Sequence, residues 1–91
     1  MTLTLDAAFE LHPQAAVRPE PFGALVYHYG TRRLVFLRKP EVLDVVQHLD
    51  EHDSIGETLA ACGVAERRWP TFLKALASLE ASEIIRERTR S

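Results

Sequence analysis

The sequence predicts an α+β domain with a winged helix-turn-helix arrangement, in which a three-stranded antiparallel sheet is followed by three helices. Three observations support this class. Two runs of strand-forming residues, 23–29 and 34–37, are joined by a short segment that contains a glycine. After Pro40 the hydrophobic residues recur with a helical period. A tight turn at Gly63 then separates the second and third predicted helices.

The two strand-forming runs predict an antiparallel hairpin with a turn over residues 30–33. Side chains alternate along the first strand between two faces: Leu25, Tyr27 and Tyr29 on one, and Ala24, Val26 and His28 on the other. The second strand is apolar on both faces, which predicts that both faces are covered. The strand before the hairpin must be short, because Pro19 and Pro21 lack the N–H that a ladder bond needs.

The helical part is predicted from hydrophobic spacing and capping residues. Each helix has its own signal: Val42, Val45, Val46 and Leu49 for the first, Ser54 and Glu57 as a capping box for the second, and Trp69, Phe72, Leu76 and Leu79 for the third. The second helix is expected to stop at Gly63, and the third to run from about residues 65–68 to Ala81.

The chain is expected to form one domain over residues 13–86, with a short strand near Ile84 and a tail over residues 87–91. Residues 1–12 are assigned to an N-terminal arm, which could be an amphipathic segment, a strand or a loose arm. The N-terminus does not have the pattern of a signal peptide, and no apolar run reaches the roughly 18 residues of a membrane span. Together with the lone cysteine, this predicts a cytoplasmic protein without a membrane partner.

Little in the sequence suggests catalysis, a cofactor or a metal. His48 and His52 have the spacing of metal ligands on one helix face, with Asp44 one turn earlier, but a solvated helix end is the favoured interpretation. Cys62, just before Gly63, is interpreted as a small apolar residue. No glycine-rich phosphate-binding motif is present. We therefore predict a protein that is not an enzyme, with no cofactor and no metal site.

The strand at residues 34–37 precedes the helices and is predicted to be an open edge of the sheet. It carries no proline and no inward charge, which are the usual means of protecting an edge, and it is flanked by cations. Such an edge can accept a partner peptide as a further strand, and Val35→Pro is expected to remove one of its donors. The predicted peptide-binding residues are Arg33, Leu34, Val35, Phe36, Leu37 and Arg38, with Pro70, Leu73, Lys74 and Ala77 of the third helix. Alternatively, Leu73 and Ala77 only widen the core stripe.

The run from Arg18 to Leu37, which includes the sequence Phe-Gly-Ala-Leu-Val-Tyr at residues 22–27, resembles the small peptide chaperones that work beside radical-SAM maturases. These are RiPP recognition elements, similar to the chaperone of pyrroloquinoline quinone biosynthesis. The closest resemblance is to the peptide chaperones of the mycofactocin system. It extends over residues 15–85 and includes Leu43, Leu49, Trp69, Phe72 and Leu73.

The resemblance implies that the leader of a precursor peptide adds antiparallel to the third strand, in a groove against the third helix. It also implies that the chaperone presents the precursor to a radical-SAM maturase, which performs the chemistry, and that a homodimer can form. The main alternative is a winged-helix DNA-binding regulator, with a generic interaction domain as the third possibility. The third helix offers Arg67, Arg68 and Lys74, but its remaining exposed side is bland and partly acidic, so no nucleic-acid partner is expected.

Overall fold

The computed structural model describes residues 3–88 and contains two antiparallel sheets, three α-helices and two short 3₁₀ helices in this range. The strands are β1 (Phe9–Leu11), β2 (Ala15–Glu20), β3 (Gly23–His28), β4 (Leu34–Leu37) and β5 (Ile85–Glu87). The α-helices are α1 (Pro40–His48), α2 (Ile55–Ala61) and α3 (Trp69–Ala81), and the 3₁₀ helices lie at Leu49–Glu51 and Glu66–Arg68. The predicted α+β class, with a three-stranded antiparallel sheet and three helices, is confirmed. The winged helix-turn-helix label and the domain boundaries stay predictions.

The three-stranded sheet has the order β2-β3-β4. The predicted antiparallel hairpin of β3 and β4 is confirmed, and its register places Ala24 opposite Leu37 and Tyr27 opposite Leu34. The inner face of β3 is buried through Ala24, Val26 and His28. At the start of β3, Gly23 has φ +147°, and a Cβ there would lie 2.1 Å from the carbonyl oxygen of Leu37. Only glycine allows the two strands to approach this closely at the end of β4.

The helices and the inner face of this sheet share one hydrophobic core, which is formed by the residues that the periodicity selects. Buried core residues include Val42, Val45, Val46 and Leu49 after the sheet, and Phe72, Leu76 and Leu79 on α3. The indole N–H of Trp69 donates to the carbonyl oxygen of Val64 at 2.9 Å, which fixes the entry into α3. The apolar stripes predicted for α1 and α3 are therefore confirmed. In α3, the Trp69 side chain also forms a hydrogen bond to the backbone before the helix.

The capping predicted for α2 is confirmed on the serine side. The Glu57 N–H donates to Ser54 Oγ at 3.1 Å, whereas the Glu57 carboxylate accepts from the same hydroxyl at 3.3 Å. At the other end, Gly63 has φ +79° and the Val64 N–H donates to the Leu59 carbonyl oxygen at 3.0 Å. This is the Schellman arrangement, which closes a helix through a residue in the left-handed region.

The N-terminal segment forms part of a second, two-stranded sheet. β1 pairs antiparallel with β5, so that Phe9 lies opposite Glu87 and Leu11 opposite Ile85. Phe9 is 1% exposed and belongs to the hydrophobic core. Of the three forms that the sequence allows for this segment, the structure therefore shows a strand at residues 9–11. Residues 1–2 of the predicted arm and residues 89–91 of the predicted tail lie outside the described residues.

Two histidines connect the N-terminal segment to the hairpin. The Nδ1 atom of His28 accepts hydrogen bonds from the backbone N–H groups of Gly30 and Thr31, each at 3.0 Å, and so shapes the turn. The ring of His12 lies against it, with 4.3 Å between the ring centroids. His12 Nδ1 accepts from the Gln14 N–H at 3.0 Å. Partial burial, and then the neighbouring His28, lower the pKa of His12 below its ordinary value.

This lowered pKa predicts a pH dependence of the free energy of unfolding. Because the folded state disfavours protonated His12, its contribution to stability is complete above the unfolded pKa of about 6.5 and is lost as the pH falls below that value. We expect urea unfolding to show that the free energy of unfolding falls less between pH 8 and pH 5 in His12→Asn than in the wild type. The asparagine side-chain oxygen can still accept a hydrogen bond from the Gln14 N–H, but it does not titrate. Identical pH slopes for the two proteins would contradict this assignment.

Candidate functional site

The hydrogen-bond alternation of the hairpin decides which backbone groups of β4 face outward. The His28 N–H donates to the Arg33 carbonyl oxygen at 2.9 Å, so these two residues form a hydrogen-bonded pair. In an antiparallel ladder such pairs alternate with non-bonded ones, and Val35 and Leu37 therefore bond to β3. The N–H and C=O groups of Leu34 and Phe36 point away from the sheet, where no strand of residues 3–88 pairs with them.

This geometry corrects the donor chosen from the sequence. The backbone of Val35 pairs with Val26 inside the hairpin, so Val35→Pro would break the internal ladder instead of the free edge. The parity of the ladder, which the sequence does not show, is set by the connection between β3 and β4, which begins at Tyr29. The outward donor suitable for a proline test is the N–H of Phe36.

The opposite edge of the same sheet is protected. The Tyr29 N–H donates to the Gln14 carbonyl oxygen at 2.9 Å, and the same alternation turns the backbone of Ala15, Val17 and Pro19 outward. Pro19 has no N–H to offer, which also explains how a six-residue strand accommodates it. The three-stranded sheet therefore has one edge interrupted by proline and one open edge at β4.

An open groove of about 340 Å³ lies beside the inner face of β4. Its lining combines three elements: Val35, Phe36, Leu37, Arg38 and Lys39 at β4, Val42 of α1, and Ala75, Ser78 and Leu79 of α3. The aliphatic side chains give it an apolar floor, while the two cations lie exposed at one end. Such a lining suits a peptide with apolar side chains and an acidic end.

The outer face of β4 is also apolar, and it is exposed. Leu34 is 62% and Phe36 39% exposed. Phe22 packs edge-to-face on Phe36 with 5.2 Å between ring centroids, and the Arg38 guanidinium lies 5.6 Å from the centroid of the same ring. The expectation that both faces of this strand are covered is therefore wrong for the chain alone, because α1 and α3 cover only the inner face.

The four α3 residues predicted for the site differ in how far they are exposed. Pro70 and Lys74 are exposed, while Leu73 and Ala77 are half-buried. None of these four residues lines the groove, whose helical wall is formed by Ala75, Ser78 and Leu79.

Two residues correspond to about 200° around a helix, so Leu73 and Ala77 lie nearly opposite Ala75. Leu73 packs against the core, as the alternative interpretation has it. The sequence feature that marks the groove is the pair of small side chains at positions 75 and 78, which leave space beside β4.

One of the cations at the start of α3, Arg68, forms an ion pair with a residue of α1. Arg68 donates two hydrogen bonds to the Glu41 carboxylate, at 2.8 and 2.9 Å. These bonds lower the pKa of Glu41 and raise that of Arg68. The guanidinium also lies 5.3 Å from the centroid of the Phe72 ring. Arg68 therefore joins the start of α3 to α1 through an exposed ion pair.

Comparison with known proteins identifies the family. The sequence profile of the peptide chaperone MftB family matches residues 8–86. The chain belongs to the MftB peptide chaperone family. It is 45% identical over 85 residues to the peptide chaperone MftB of Mycolicibacterium smegmatis, covering 93% of this chain and 83% of that protein. The Mycobacterium tuberculosis and Mycobacterium ulcerans proteins of the same name are 45% and 44% identical over 80 residues, with 88% of this chain and 73% of each relative covered.

Membership in this family confirms the resemblance to the mycofactocin peptide chaperones and the prediction that the protein is a chaperone and not an enzyme. No solved structure gave a significant match. Within residues 3–88, no helix has the length and apolar character needed to cross a membrane. Family membership leaves open which surface binds a peptide, and the two features of this chain that bear on it are the groove and the β4 edge.

Proposed function

We propose that this family member binds the leader of a ribosomally made precursor peptide as an additional strand on β4, during mycofactocin biosynthesis. The observation that carries the proposal is the open edge, where the N–H and C=O groups of Leu34 and Phe36 point outward beside the apolar groove. An antiparallel peptide would satisfy these groups, and its alternate side chains would enter the groove or lie on Phe36.

The charges of the edge indicate what kind of peptide suits it. Arg33 precedes β4, and Arg38 and Lys39 follow it, all of them exposed. Acidic residues at the ends of the leader would therefore face cations, whereas its centre would be apolar. Exposed charges of this kind mainly speed association and fix the register of the strand, and they add less to the affinity itself.

The same edge bears on oligomerisation. A homodimer through β4 would use the outward groups that the peptide needs, so we propose that dimer and peptide complex exclude each other. Antiparallel pairing of two copies around Val35 would also place Arg38 of one beside Arg32 of the other, and such like charges repel. Charge therefore favours an acidic peptide over a second copy.

The remaining parts of the proposal concern the next step of the pathway. The bound precursor would be presented to a radical-SAM maturase, which performs the chemistry, and we place this step in the cytoplasm. The DNA-binding alternative is less favoured, because the chain has a net charge of -2 and the exposed ion pair with Glu41 neutralises Arg68 at the start of α3. A duplex-DNA titration at low salt is expected to show no steeply salt-dependent binding, whereas a DNA-binding regulator would show it.

Titration of the ¹⁵N-labelled protein with the mycofactocin precursor peptide tests the proposal. We expect the largest backbone amide shifts at Leu34 and Phe36, followed by those at Ala75 and Ser78. Ser78→Trp, which fills the groove from an exposed position, is expected to weaken binding by at least about 10-fold, because the peptide side chains lose their pocket.

Ala77→Trp is the matched control on the far side of α3 and is expected to change the affinity by less than about 2-fold, well under 1 kcal/mol. The melting temperature of each variant shows that the fold is retained. If Ala77→Trp abolished binding and Ser78→Trp did not, the peptide would contact the Pro70, Leu73 and Ala77 side of α3, as the sequence predicts. If the backbone amide shifts of β4 did not change at a saturating peptide concentration, strand addition would be contradicted.

A further inference from the structure

Three potential metal ligands converge where α1 ends beside the C-terminus of α2. Asp44 and His48 come from α1, and Cys62 is the C-cap residue of α2. One ligand atom from each side chain can be chosen so that all three lie within 4.8 Å of one another. His48 and Cys62 are half-buried, while Asp44 is exposed. This cluster combines nitrogen, sulfur and oxygen donors and lies outside the peptide groove.

The local fold orients the three side chains. Asp44 and His48 are four residues apart and share one face of α1, with 3.3 Å between Asp44 Oδ1 and His48 Nδ1. His48 Nδ1 also lies 2.7 Å from the backbone carbonyl oxygen of Asp44, in a hydrogen bond that orients the ring. Metal-binding histidines are commonly oriented by such a bond. Cys62 is held by the reversal at Gly63, whose N–H donates to the Ala60 carbonyl oxygen at 3.1 Å.

The side chains that act on His48 favour a cation, and Arg88, a cation of the same region, donates to the backbone carbonyl oxygens of Asp50 and His52. The charged groups that act on His48 are Asp44, Asp50 and Glu51, all of them acidic. His52, which has the right spacing in the sequence, is not part of the cluster. The helix α1 ends at His48, and the backbone at His52 is extended, with φ −130° and ψ 158°. Cys62, which is distant in sequence from His48, takes the place that the sequence suggested for His52.

We propose that Asp44, His48 and Cys62 form a zinc-binding site that joins α1 to α2. Thiolate, imidazole and carboxylate are the ligands that Zn²⁺ takes in proteins, and three of them leave a fourth position for water. The ligand atoms of a tetrahedral zinc site lie about 3–4 Å apart, so side-chain rotations of these accessible residues complete the geometry. Binding releases the thiol proton of Cys62 to the solvent and forms the sulfur–zinc bond.

The site is independent of the peptide groove. Val42, which lines the groove, precedes Asp44 by two residues and therefore lies about 200° away around α1. Zinc would act on the packing of α1 against α2 and raise the melting temperature by binding only the folded state. The proposal consequently stands or falls separately from strand addition at β4.

Cobalt titration of the reduced, chelator-treated protein tests the site, with Co²⁺ as the probe. We expect a near-ultraviolet thiolate-to-cobalt charge-transfer band and the strong visible bands of four-coordinate cobalt, both displaced by one equivalent of Zn²⁺. Cys62→Ser should remove the charge-transfer band, and His48→Gln should weaken cobalt binding by more than roughly 100-fold, because outer partners alone account for about 10–100-fold.

His52→Gln is the matched control and is expected to leave the cobalt spectrum and affinity unchanged. Circular dichroism and metal-free melting temperatures establish that each variant folds. A wild-type protein without a charge-transfer band at millimolar Co²⁺ would overturn the proposal. So would bands that persist in Cys62→Ser, or that disappear in His52→Gln. A zinc-dependent rise in the melting temperature in wild type, absent from Cys62→Ser, would support it by a second measurement.

Discussion

Replacing Phe36 with proline is expected to reduce precursor-peptide binding more than any other single change at the site, while the domain remains folded. Proline removes the outward N–H of β4 and places its ring where the added strand must approach. The N–H of Phe36 bonds to nothing within the hairpin, so the internal ladder keeps its bonds. Isothermal titration calorimetry with the precursor peptide should show the loss.

Two further variants separate the backbone effect from the side-chain effect. Phe36→Ala removes the ring but keeps the N–H, so binding by Phe36→Pro should be weaker than binding by Phe36→Ala by at least about 10-fold, or roughly 1.4 kcal/mol. Val35→Pro breaks the ladder to Val26 and should instead lower the melting temperature. Equal affinities for the alanine and proline variants at position 36 would exclude strand addition at this donor.

Truncating Phe9 is expected to have the largest effect on stability. Its ring is 1% exposed in the core, although β1 has only three residues. Phe9→Ala should lower the free energy of unfolding by about 3–5 kcal/mol. The total free energy of unfolding of a domain of this size is about 5–14 kcal/mol, so the melting temperature should fall by more than about 10 °C. Urea and thermal unfolding followed by circular dichroism measure both quantities.

Leu11→Ala serves as the comparison within the same strand. Leu11 is only half-buried, so its truncation should lower the free energy of unfolding by clearly less than the truncation of Phe9. If Phe9→Ala unfolded at the wild-type urea concentration, the β1–β5 sheet would not be part of the cooperative fold. In that case the N-terminal segment would behave as the loose arm that the sequence also allows.

Local patterns predict those parts of the fold that depend on neighbouring residues. The helical spacing of Val42, Val45 and Val46 identifies the buried face of α1, and Gly63 marks the end of α2. Alternation along residues 23–29 assigns the faces of β3 correctly, because a strand places successive side chains on opposite sides. The resemblance carried by residues 18–37 indicates the same family that the sequence profile matches.

The site itself is predicted only in part. The open edge follows from the absence of a protecting residue in β4, and the structure does place β4 at the end of its sheet. The parity of its hydrogen bonds is beyond prediction, because it depends on how the loop between β3 and β4 closes. The sequence pattern predicts Leu73 and Ala77 as the wall of the groove, because both are apolar at helical spacing. Helical spacing does not decide which flank of α3 faces β4.

Local sequence patterns are sufficient to predict the order of the strands and helices from β2 to α3, the buried faces of α1 and β3, and the family. Each of these depends on residues within a few positions of one another or on similarity along the chain. Three features depend on contacts between distant segments and are visible only in the folded chain: the pairing of β1 with β5, the outward groups of β4, and the proximity of His48 to Cys62. The physical reason is that these contacts are set by packing and chain closure, which local periodicity does not encode.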